Sequence, residues 1–213
     1  MKNGILIPDR KMVYWYIPKC ACTTMKTVIA HHLGLEVPEA WKKVHGLPFR
    51  FIHHGQAVQY RDWQHFTVVR HPMRRTLSLF NNKIFRDGRT IRRVKDGVTQ
   101  PIFSNYGSLF YADMSFPDFV RAICRVLDNR ADPHIKAMAK QLPYIHIKVF
   151  KSEEMETVAE YLSENGINQP FPHLNKTTGE SWLDNYTPEL AEMIYQAYEV
   201  DFQRFQYKNP FNV

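Results

Sequence analysis

Seven residues near the start of the chain have the side chains and spacing of an anion-binding loop. They are Pro18, Lys19, Cys20, Ala21, Cys22, Thr23 and Thr24. Lys19 supplies a positive charge, the threonines supply hydroxyl donors, and the small residues let the backbone come close to a phosphate. An ordinary strand-to-helix turn explains the segment equally well, because the Gly-x4-Gly-Lys-Ser/Thr phosphate loop is absent.

The segments on either side would position this loop as an anion site. The apolar run 13–17 is rich in β-branched and aromatic residues, which predicts a buried strand. Apolar residues recur at helical spacing from Met25 to Leu33, and Gly34 follows as an end signal. A strand, a loop and a helix in this order leave unpaired N–H groups at a helix N-terminus, where the helix dipole also favours an anion.

Two further apolar runs end in residues that bind anions or carry protons. The second run ends in His53 and His54, and the third ends in Arg70 just before a predicted helix. This repeat of strand, polar residue and helix predicts an α/β fold with a mostly parallel central sheet flanked by helices. Ligands of such folds lie outside the carboxyl ends of the strands. Lys19, the two histidines and Arg70 are therefore expected at one site.

Capping signals predict where two later helices begin. Ser152, followed by two glutamates, predicts one helix start, and Thr187 before Pro188 predicts the start of the last helix. The 213 residues contain no repeat and no low-complexity linker, so a single domain over residues 1–213 is predicted.

The composition is that of a globular protein with a basic surface. Hydrophobic residues make up 44% of the chain, the formal net charge is +7 and the pI is near 9.3. This charge favours anionic partners such as nucleotides or acidic glycans. Three cysteines are too few for a disulfide framework and are predicted to be free thiols. Neither metal-ligand spacing nor an apolar run of about 18 residues occurs, so no metal and no membrane span are expected.

A basic segment between residues 86 and 111 interrupts the alternation of strands and helices. Arg89 and Arg92 belong to its cluster of positive charges. A loop of this length inside a compact domain is usually functional or mobile. A solvated basic loop and a surface for an acidic substrate are both open interpretations, and under the second these two arginines contact the substrate.

Two segments, taken together, resemble the donor-binding motifs of carbohydrate sulfotransferases. Residues 17–26 resemble the 5′-phosphosulfate loop of that family. Residues 69–78 resemble its 3′-phosphate segment, in which Arg, Pro, Arg and Ser keep these spacings. Three later segments resemble family segments as well: 149–153, 173–178 and 194–205. The resemblance implies a P-loop-like three-layer fold and transfer of a sulfuryl group, without a metal, from 3′-phosphoadenosine 5′-phosphosulfate (PAPS) to a hydroxyl group, on a carbohydrate as the leading choice.

The resemblance also implies which residues hold the donor. Lys19 and the N–H groups after it would bind the 5′ end, and Arg70 would hold the 3′-phosphate through bidentate hydrogen bonds. Ser78 lies two predicted helical turns beyond Arg70 and would reach the same phosphate. Arg75 shares that helix face and is a further candidate for this phosphate.

The family chemistry implies an in-line displacement that needs a cation at the leaving group and a base at the acceptor. Lys19 is the predicted cation. His54 is the predicted base, because glycan sulfotransferases carry a catalytic histidine on the equivalent strand end. His53 is the alternative base, since successive strand residues point to opposite faces. His134 resembles part of another family segment and is predicted on the acceptor side, with an ordinary loop histidine as the equal alternative.

Two other functions stay open on the residues alone. A P-loop kinase would share the strand, anion loop and helix, but it needs Mg²⁺ and a Gly-Lys-Ser/Thr loop. A non-catalytic polyanion-binding protein would share the basic charge, although no RNP-like motif or zinc finger supports nucleic acid as the partner. The expected location is the cytoplasm for a microbial chain as it stands. It is the Golgi lumen for a truncated eukaryotic form, because the glycan enzymes usually carry an N-terminal anchor and stem.

Overall fold

A computed structural model gives the structure and describes residues 2–39, 41–86, 89–90, 94–95, 98–99, 103–111, 113–127, 131–172 and 181–211. The strands are β1 (Lys2–Ile7), β2 (Met12–Trp15), β3 (Phe51–His53), β4 (Gln64–Val69), β5 (Phe85–Arg86), β6 (Arg89–Thr90), β7 (Val94–Lys95), β8 (Val98–Thr99) and β9 (Lys148–Lys151). The helices are α1 (Cys22–His32), α2 (Pro72–Lys83), α3 (Phe116–Val126), α4 (Met155–Glu164), α5 (Pro188–Ala197) and α6 (Glu199–Arg204).

Five strands form a mixed sheet in the order β3-β1-β2-β4-β9. β1 is antiparallel to both of its neighbours, whereas β4 is parallel to β2 and to β9. Because β2 and β3 both run opposite to β1, four of the five strands run in one direction. The predicted α/β class is confirmed. The sequence pattern misses β1, because a single 3₁₀ turn at Pro8–Arg10 follows it instead of an α-helix.

The common strand direction places several loop starts at one edge of the sheet. The carboxyl ends of β2, β3, β4 and β9 lie at this edge, and so does the first residue of β1, where Lys2 pairs with His53. In the parallel part of the sheet, Trp15 pairs with Thr67 and Val69 pairs with Lys151. We call this edge the carboxyl edge. It is where ligands bind in folds of this class.

The chain divides into two compact units that interleave along the sequence. Residues 1–70 and 141–178 form the sheet unit, and residues 71–140 and 179–213 form the helical unit. The prediction of one domain over residues 1–213 stays a prediction.

The core of the sheet unit joins one face of the sheet to α1 and α4. Alternate residues of the strands, such as Ile5, Tyr14 and Phe66, bury their side chains together with Ile29 of α1 and Leu162 of α4. Complete burial of a large apolar side chain contributes about 1.5–3 kcal/mol. This packing fixes α1, and therefore its first turn, against the end of β2.

The helical unit buries one cluster among α2, α3, α5 and α6. The predicted cap at Thr187 is confirmed, because its hydroxyl accepts the N–H of Leu190 and Pro188 begins α5. The prediction that this helix is the last one is wrong, since α6 follows it. In the sheet unit the predicted cap at Ser152 is wrong, since α4 begins at Met155. The N–H of Ser152 donates to Val69 O at 2.8 Å, so this residue continues the strand pairing.

The predicted state of the cysteines is confirmed. Cys20, Cys22 and Cys124 are all free thiols. Among the residues described above, no helix combines the length and the apolar character needed to cross a membrane.

Candidate active site

The loop between β2 and α1 has a backbone shape that residues with side chains rarely adopt. Lys19 has a φ of 70° and Ala21 has a φ of 52°, both in the left-handed region. Such a conformation costs on the order of 1–3 kcal/mol at a non-glycine residue and is concentrated at binding sites. Cys20 lies buried between them and donates its N–H to Ile17 O at 3.3 Å. The fold therefore holds this loop in a shape that its own sequence does not favour.

The first turn of α1 opens onto this loop without a side-chain cap. Ala21 occupies the N-cap position, and no side chain there accepts an N–H of the first turn. The first N–H groups of a helix have no partner within the helix. Cys22, Thr23 and Thr24 carry these groups, and the two threonines add hydroxyls beside them. The arrangement fits the anion predicted from the sequence.

Lys19 and Arg70 meet at the carboxyl edge. Nη1 of Arg70 donates to the backbone oxygen of Lys19 at 3.4 Å. The contact follows from the parallel pairing of β2 with β4, which brings the residues after the two strands together. The side chain of Arg70 thus reaches the backbone of a residue 51 positions earlier in the chain. That Lys19 and Arg70 bind one ligand stays a prediction.

His53 is the last residue of β3 and His54 follows it, and the two histidines have different surroundings. His53 is exposed, and its backbone N–H donates to Oε1 of Gln56 at 2.9 Å. His54 is half-buried, and its Nε2 lies 2.9 Å from Oδ1 of Asn3. This part-buried contact fixes the orientation of the His54 ring. Which of the two histidines is the base stays a prediction.

Asn3 determines which nitrogen of His54 carries the proton. Nδ2 of Asn3 donates to Tyr16 O at 3.1 Å and to Gln141 O at 3.0 Å. Because both amide hydrogens are directed at carbonyl oxygens, the oxygen of Asn3 is the acceptor that faces His54. Nε2 of His54 therefore donates, and the lone pair of the neutral ring is on Nδ1. This assignment rests on the hydrogen-bond network.

Trp15, the last residue of β2, packs against His54. The two rings meet edge to face with their centroids 5.5 Å apart. Gly4 pairs with Trp15 across β1 and β2, and a Cβ atom on Gly4 would lie 2.8 Å from the Trp15 ring. A residue without a side chain is needed at position 4, because the indole occupies that space.

Thr23 and Lys26 of α1 form a second group of contacting side chains with His45. His45 contacts Thr23 through Nε2, at 3.1 Å from Oγ1, and contacts Lys26 through Nδ1, at 3.2 Å from Nζ. Lys26 is 3% exposed, and burial lowers its pKa, although Cys22 opposes the shift. Its Nζ also lies 3.8 Å from the centroid of the Tyr16 ring. No sequence pattern indicated a role for His45 or Asn3, and Lys26 was only the last residue of the segment 17–26.

Two of the predicted site residues, Arg75 and Ser78, lie in α2 of the helical unit. Arg75 is buried in α2, and its guanidinium donates to Pro133 O and to Lys136 O, both at 3.0 Å. These bonds fix the loop that carries His134. The structure thus gives Arg75 a structural contact that the sequence did not indicate, while its role at a phosphate stays a prediction. Ser78 is half-buried in the same helix.

His134 is held by the carboxylate of Asp132. Nδ1 of His134 and its backbone N–H both lie 2.8 Å from Oδ1 of Asp132. Burial acts to raise the pKa of Asp132, but the hydrogen bonds from His134 outweigh burial and lower it. A carboxylate at Nδ1 fixes the orientation of the His134 ring. Its predicted place beside the acceptor stays a prediction.

Some predicted residues fall in segments with little structural description. Arg92 and the segment 173–178 lie outside the described residues. Arg89 is the first residue of β6 and pairs with Arg86 of β5. The predicted contact of Arg89 and Arg92 with substrate stays a prediction.

Comparisons with known proteins point to one family. A model of the sulfotransferase family matches residues 3–208. Carbohydrate sulfotransferase 12 of Mus musculus is 23% identical over 266 residues, an alignment that covers 99% of this chain and 61% of the relative. Carbohydrate sulfotransferase 11 of Mus musculus is 24% identical over 249 residues, with 99% and 68% covered. Carbohydrate sulfotransferase 14 of Homo sapiens is 25% identical over 230 residues, with 97% and 60% covered.

The alignments do not cover the two proteins equally. They cover nearly all of this chain but only about three fifths of carbohydrate sulfotransferases 12 and 14. No solved structure gives a significant match.

Proposed function

This chain belongs to the sulfotransferase family, and on that premise we propose that it transfers a sulfuryl group from PAPS to a hydroxyl group of a carbohydrate. The observation that carries the proposal is the contact of Arg70 with the backbone of Lys19 at 3.4 Å. This contact brings the guanidinium of Arg70 to the backbone of the loop that carries Lys19 and leads into an uncapped helix start. Such an arrangement would suit a donor with phosphates at two positions.

The proposed donor site has two parts. Lys19 and the N–H groups of Cys22, Thr23 and Thr24 bind the 5′-phosphosulfate. Arg70 binds the 3′-phosphate, and its planar guanidinium can donate two parallel hydrogen bonds to one phosphate. We include Ser78 in this proposal as a hydroxyl donor to the 3′-phosphate.

The proposed reaction is an in-line displacement at sulfur. The acceptor oxygen forms a bond to sulfur while the bond between sulfur and the 5′-phosphate oxygen breaks, and 3′-phosphoadenosine 5′-phosphate (PAP) leaves. Negative charge grows on the phosphate oxygen as the bond breaks. Lys19 stabilises that charge, which lowers the barrier because the charge is smaller before the reaction.

His54 is the proposed base that removes the proton of the acceptor hydroxyl. Its Nε2 donates to Asn3, so the proton is taken by Nδ1. The hydrogen bond to a buried amide keeps the ring in one orientation, as the third member of a catalytic triad does for its histidine. The imidazolium formed in this step later releases its proton to water.

A glycan acceptor is supported by the names of the relatives, which are carbohydrate sulfotransferases. The net charge of +7 would attract an acidic polysaccharide to the protein. We include His134, Arg89 and Arg92 in this proposal as residues of the acceptor side.

Two lysines at opposite ends of β2 provide a test of the catalytic proposal. Lys19 follows the strand at the carboxyl edge, and Lys11 precedes it at the opposite edge and is exposed. We expect Lys19→Ala to lower turnover about 100- to 1,000-fold and Lys11→Ala to leave it unchanged. The measurement is transfer of labelled sulfate from PAPS to unsulfated polysaccharides. Equal turnover in the two variants would refute the role of Lys19.

Calorimetry with PAP separates the proposal from the kinase and polyanion alternatives. We expect PAP to bind the folded protein and to raise its melting temperature, because ligand bound to the folded state alone must stabilise it. Arg70→Ala is expected to weaken PAP binding about tenfold or more, as hydrogen bonds to charged groups contribute about 1.5–3 kcal/mol. Tight binding of MgATP or of DNA, without binding of PAP, would replace the proposal.

A further inference from the structure

Lys26 is a buried lysine in α1 whose side chain points at a histidine. It is 3% exposed, and its Nζ lies 3.2 Å from Nδ1 of His45. Nζ also lies over the face of Tyr16, at 3.8 Å from the ring centroid. The aromatic face stabilises an ammonium that has been removed from water. The burial and the two contacts fix the position of this group below the first turn of α1.

His45 connects this lysine to a hydroxyl of the anion loop. The histidine lies in the short 3₁₀ helix Trp41–Gly46, and its Nε2 is 3.1 Å from Oγ1 of Thr23. Thr23 is the second residue of α1. A chain of contacts therefore runs from Tyr16 through Lys26 and His45 to the site proposed for the 5′-phosphosulfate.

The chemistry of the ammonium group determines which atom donates in each of these hydrogen bonds. An ammonium has three donors and no acceptor, so Nδ1 of His45 accepts from Lys26. The neutral imidazole then has its proton on Nε2 and donates it to Oγ1 of Thr23. Because the hydroxyl oxygen is already an acceptor in this bond, its own proton is available for an acceptor elsewhere.

We propose that Lys26 and His45 are positioning residues that direct the hydroxyl proton of Thr23 toward the 5′-phosphosulfate of the donor. This inference rests on the proposed function, because it needs an anion at the first turn of α1. If the lysine were replaced by an acceptor, the imidazole could reverse, accept from Thr23 and turn the hydroxyl proton away from the loop. The direction of the bonds, and not the charge alone, gives Thr23 its role.

A double-mutant cycle between His45 and Thr23 tests the inference. Thr23→Val removes the hydroxyl at nearly constant volume and is expected to weaken PAP binding about tenfold. His45→Ala in the native background is expected to weaken it by a similar or smaller factor. In the Thr23→Val background, His45→Ala is expected to have no further effect, because the hydroxyl that it directs is gone. Calorimetry with PAP measures all four proteins.

Two further variants test the direction of the bonds. Lys26→Arg keeps a donor without an acceptor and is expected to retain PAP binding better than Lys26→Gln, which offers both. His31 is an exposed histidine in the last turn of α1. His31→Ala is the control and is expected to bind PAP as tightly as the native protein does. Thermal unfolding without nucleotide establishes that each variant is folded, and the His45 cycle stands alone if the lysine variants unfold.

The possible failures are distinguishable. If the native protein does not bind PAP, the proposed function is wrong. If the native protein binds PAP but His45→Ala changes nothing, or weakens binding equally in both Thr23 backgrounds, the proposed function stands and this inference is overturned.

Discussion

Two histidines, His54 and His65, lie against the same tryptophan in the sheet unit and have different hydrogen-bond partners. The ring of Trp15 is 5.5 Å from the ring of His54 in an edge-to-face contact. It is 6.1 Å from the ring of His65 in a stacked contact. His54 follows β3 at the carboxyl edge, whereas His65 is the second residue of β4, near the opposite edge.

Both nitrogens of His65 serve the fold. Nε1 of Trp15 donates to Nδ1 of His65 at 2.9 Å, and Nε2 of His65 donates to Tyr60 O at 2.8 Å. Indole can only donate, so a protonated His65 would lose the bond to Trp15. Burial lowers the pKa of His65, although the bond to Tyr60 opposes this shift. His65 is therefore held as a neutral structural residue.

His54 is half-buried, and an amide oxygen holds its Nε2. The comparison teaches that residue type and proximity to a strand do not distinguish His54, the proposed base, from the structural residue His65. Partners and the edge of the sheet make the distinction. Three predictions test it, and the largest effect is expected for His54 itself.

We expect His54→Ala to lower turnover about 100- to 10,000-fold, because a general base contributes a factor of that size. His65→Gln is expected to retain most of its turnover, since the glutamine amide can accept from Trp15 and donate to Tyr60. Transfer of labelled sulfate from PAPS to unsulfated polysaccharides measures both, with PAP calorimetry to show that the donor site is intact. A large loss in His53→Ala with normal turnover in His54→Ala would reverse the assignment of the base.

Gly4→Ala is expected to disturb the tryptophan that contacts both histidines. Its Cβ would lie 2.7 Å from Cγ1 of Ile52 and 2.8 Å from the Trp15 ring, distances at which a neighbour must move. Overpacking of this kind typically costs 1–3 kcal/mol of unfolding free energy, about a tenth or more of the total for a small domain. Denaturant unfolding measures the loss.

Gly46→Ala is the matched control for stability, because a Cβ at Gly46 meets no atom within 4 Å. We expect its unfolding free energy to stay within about 0.5 kcal/mol of the native value. If Gly4→Ala were as stable as this control and as active as the native protein, the packing of Trp15 would not determine the position of His54.

The smallest effect is expected in the pH dependence of stability. The pKa of His65 is lowered from its ordinary value of 6.5 in the folded protein. Below pH 6.5 the unfolded chain binds a proton that the folded protein does not, so stability falls as the pH decreases from 6.5 toward the folded pKa. Above pH 6.5 the stabilisation from neutral His65 is fully present.

The difference between the native protein and His65→Gln isolates this effect, because glutamine does not titrate. We expect the loss of unfolding free energy between pH 8 and pH 5, measured with urea, to be smaller in His65→Gln. Parallel profiles for the two proteins would show that His65 is not held neutral.

Local patterns in the sequence predicted the elements of the site. The strand before the anion loop, the helix after it and the cap at Thr187 follow from periodicity and from side-chain hydrogen bonds over a few residues. The same reasoning gave the wrong helix start at Ser152, where pairing with β4 extends the strand instead. Tertiary hydrogen bonds overrode a local cap signal at that position.

The sequence also predicted that Lys19 and Arg70 lie near each other, because parallel strands bring their carboxyl ends together, and the side chain of Arg70 contacts the backbone of Lys19. It gave no indication of Asn3, which lies 51 positions from His54 in a strand that breaks the strand-and-helix pattern. It did not indicate Lys26 or His45 as partners of Thr23 either. These pairs have no fixed spacing, so no periodicity reveals them.

The chain by itself determined which residue types stand at the ends of its strands and which family it belongs to, since both follow from the order of residues. The tertiary structure alone decided the partners of each titratable side chain. Proton positions depend on those partners: the amide of Asn3 assigns the proton of His54 to Nε2, and the indole of Trp15 keeps His65 neutral. Hydrogen bonds act over about 3 Å in space, and only folding brings residues so distant in the chain within that range.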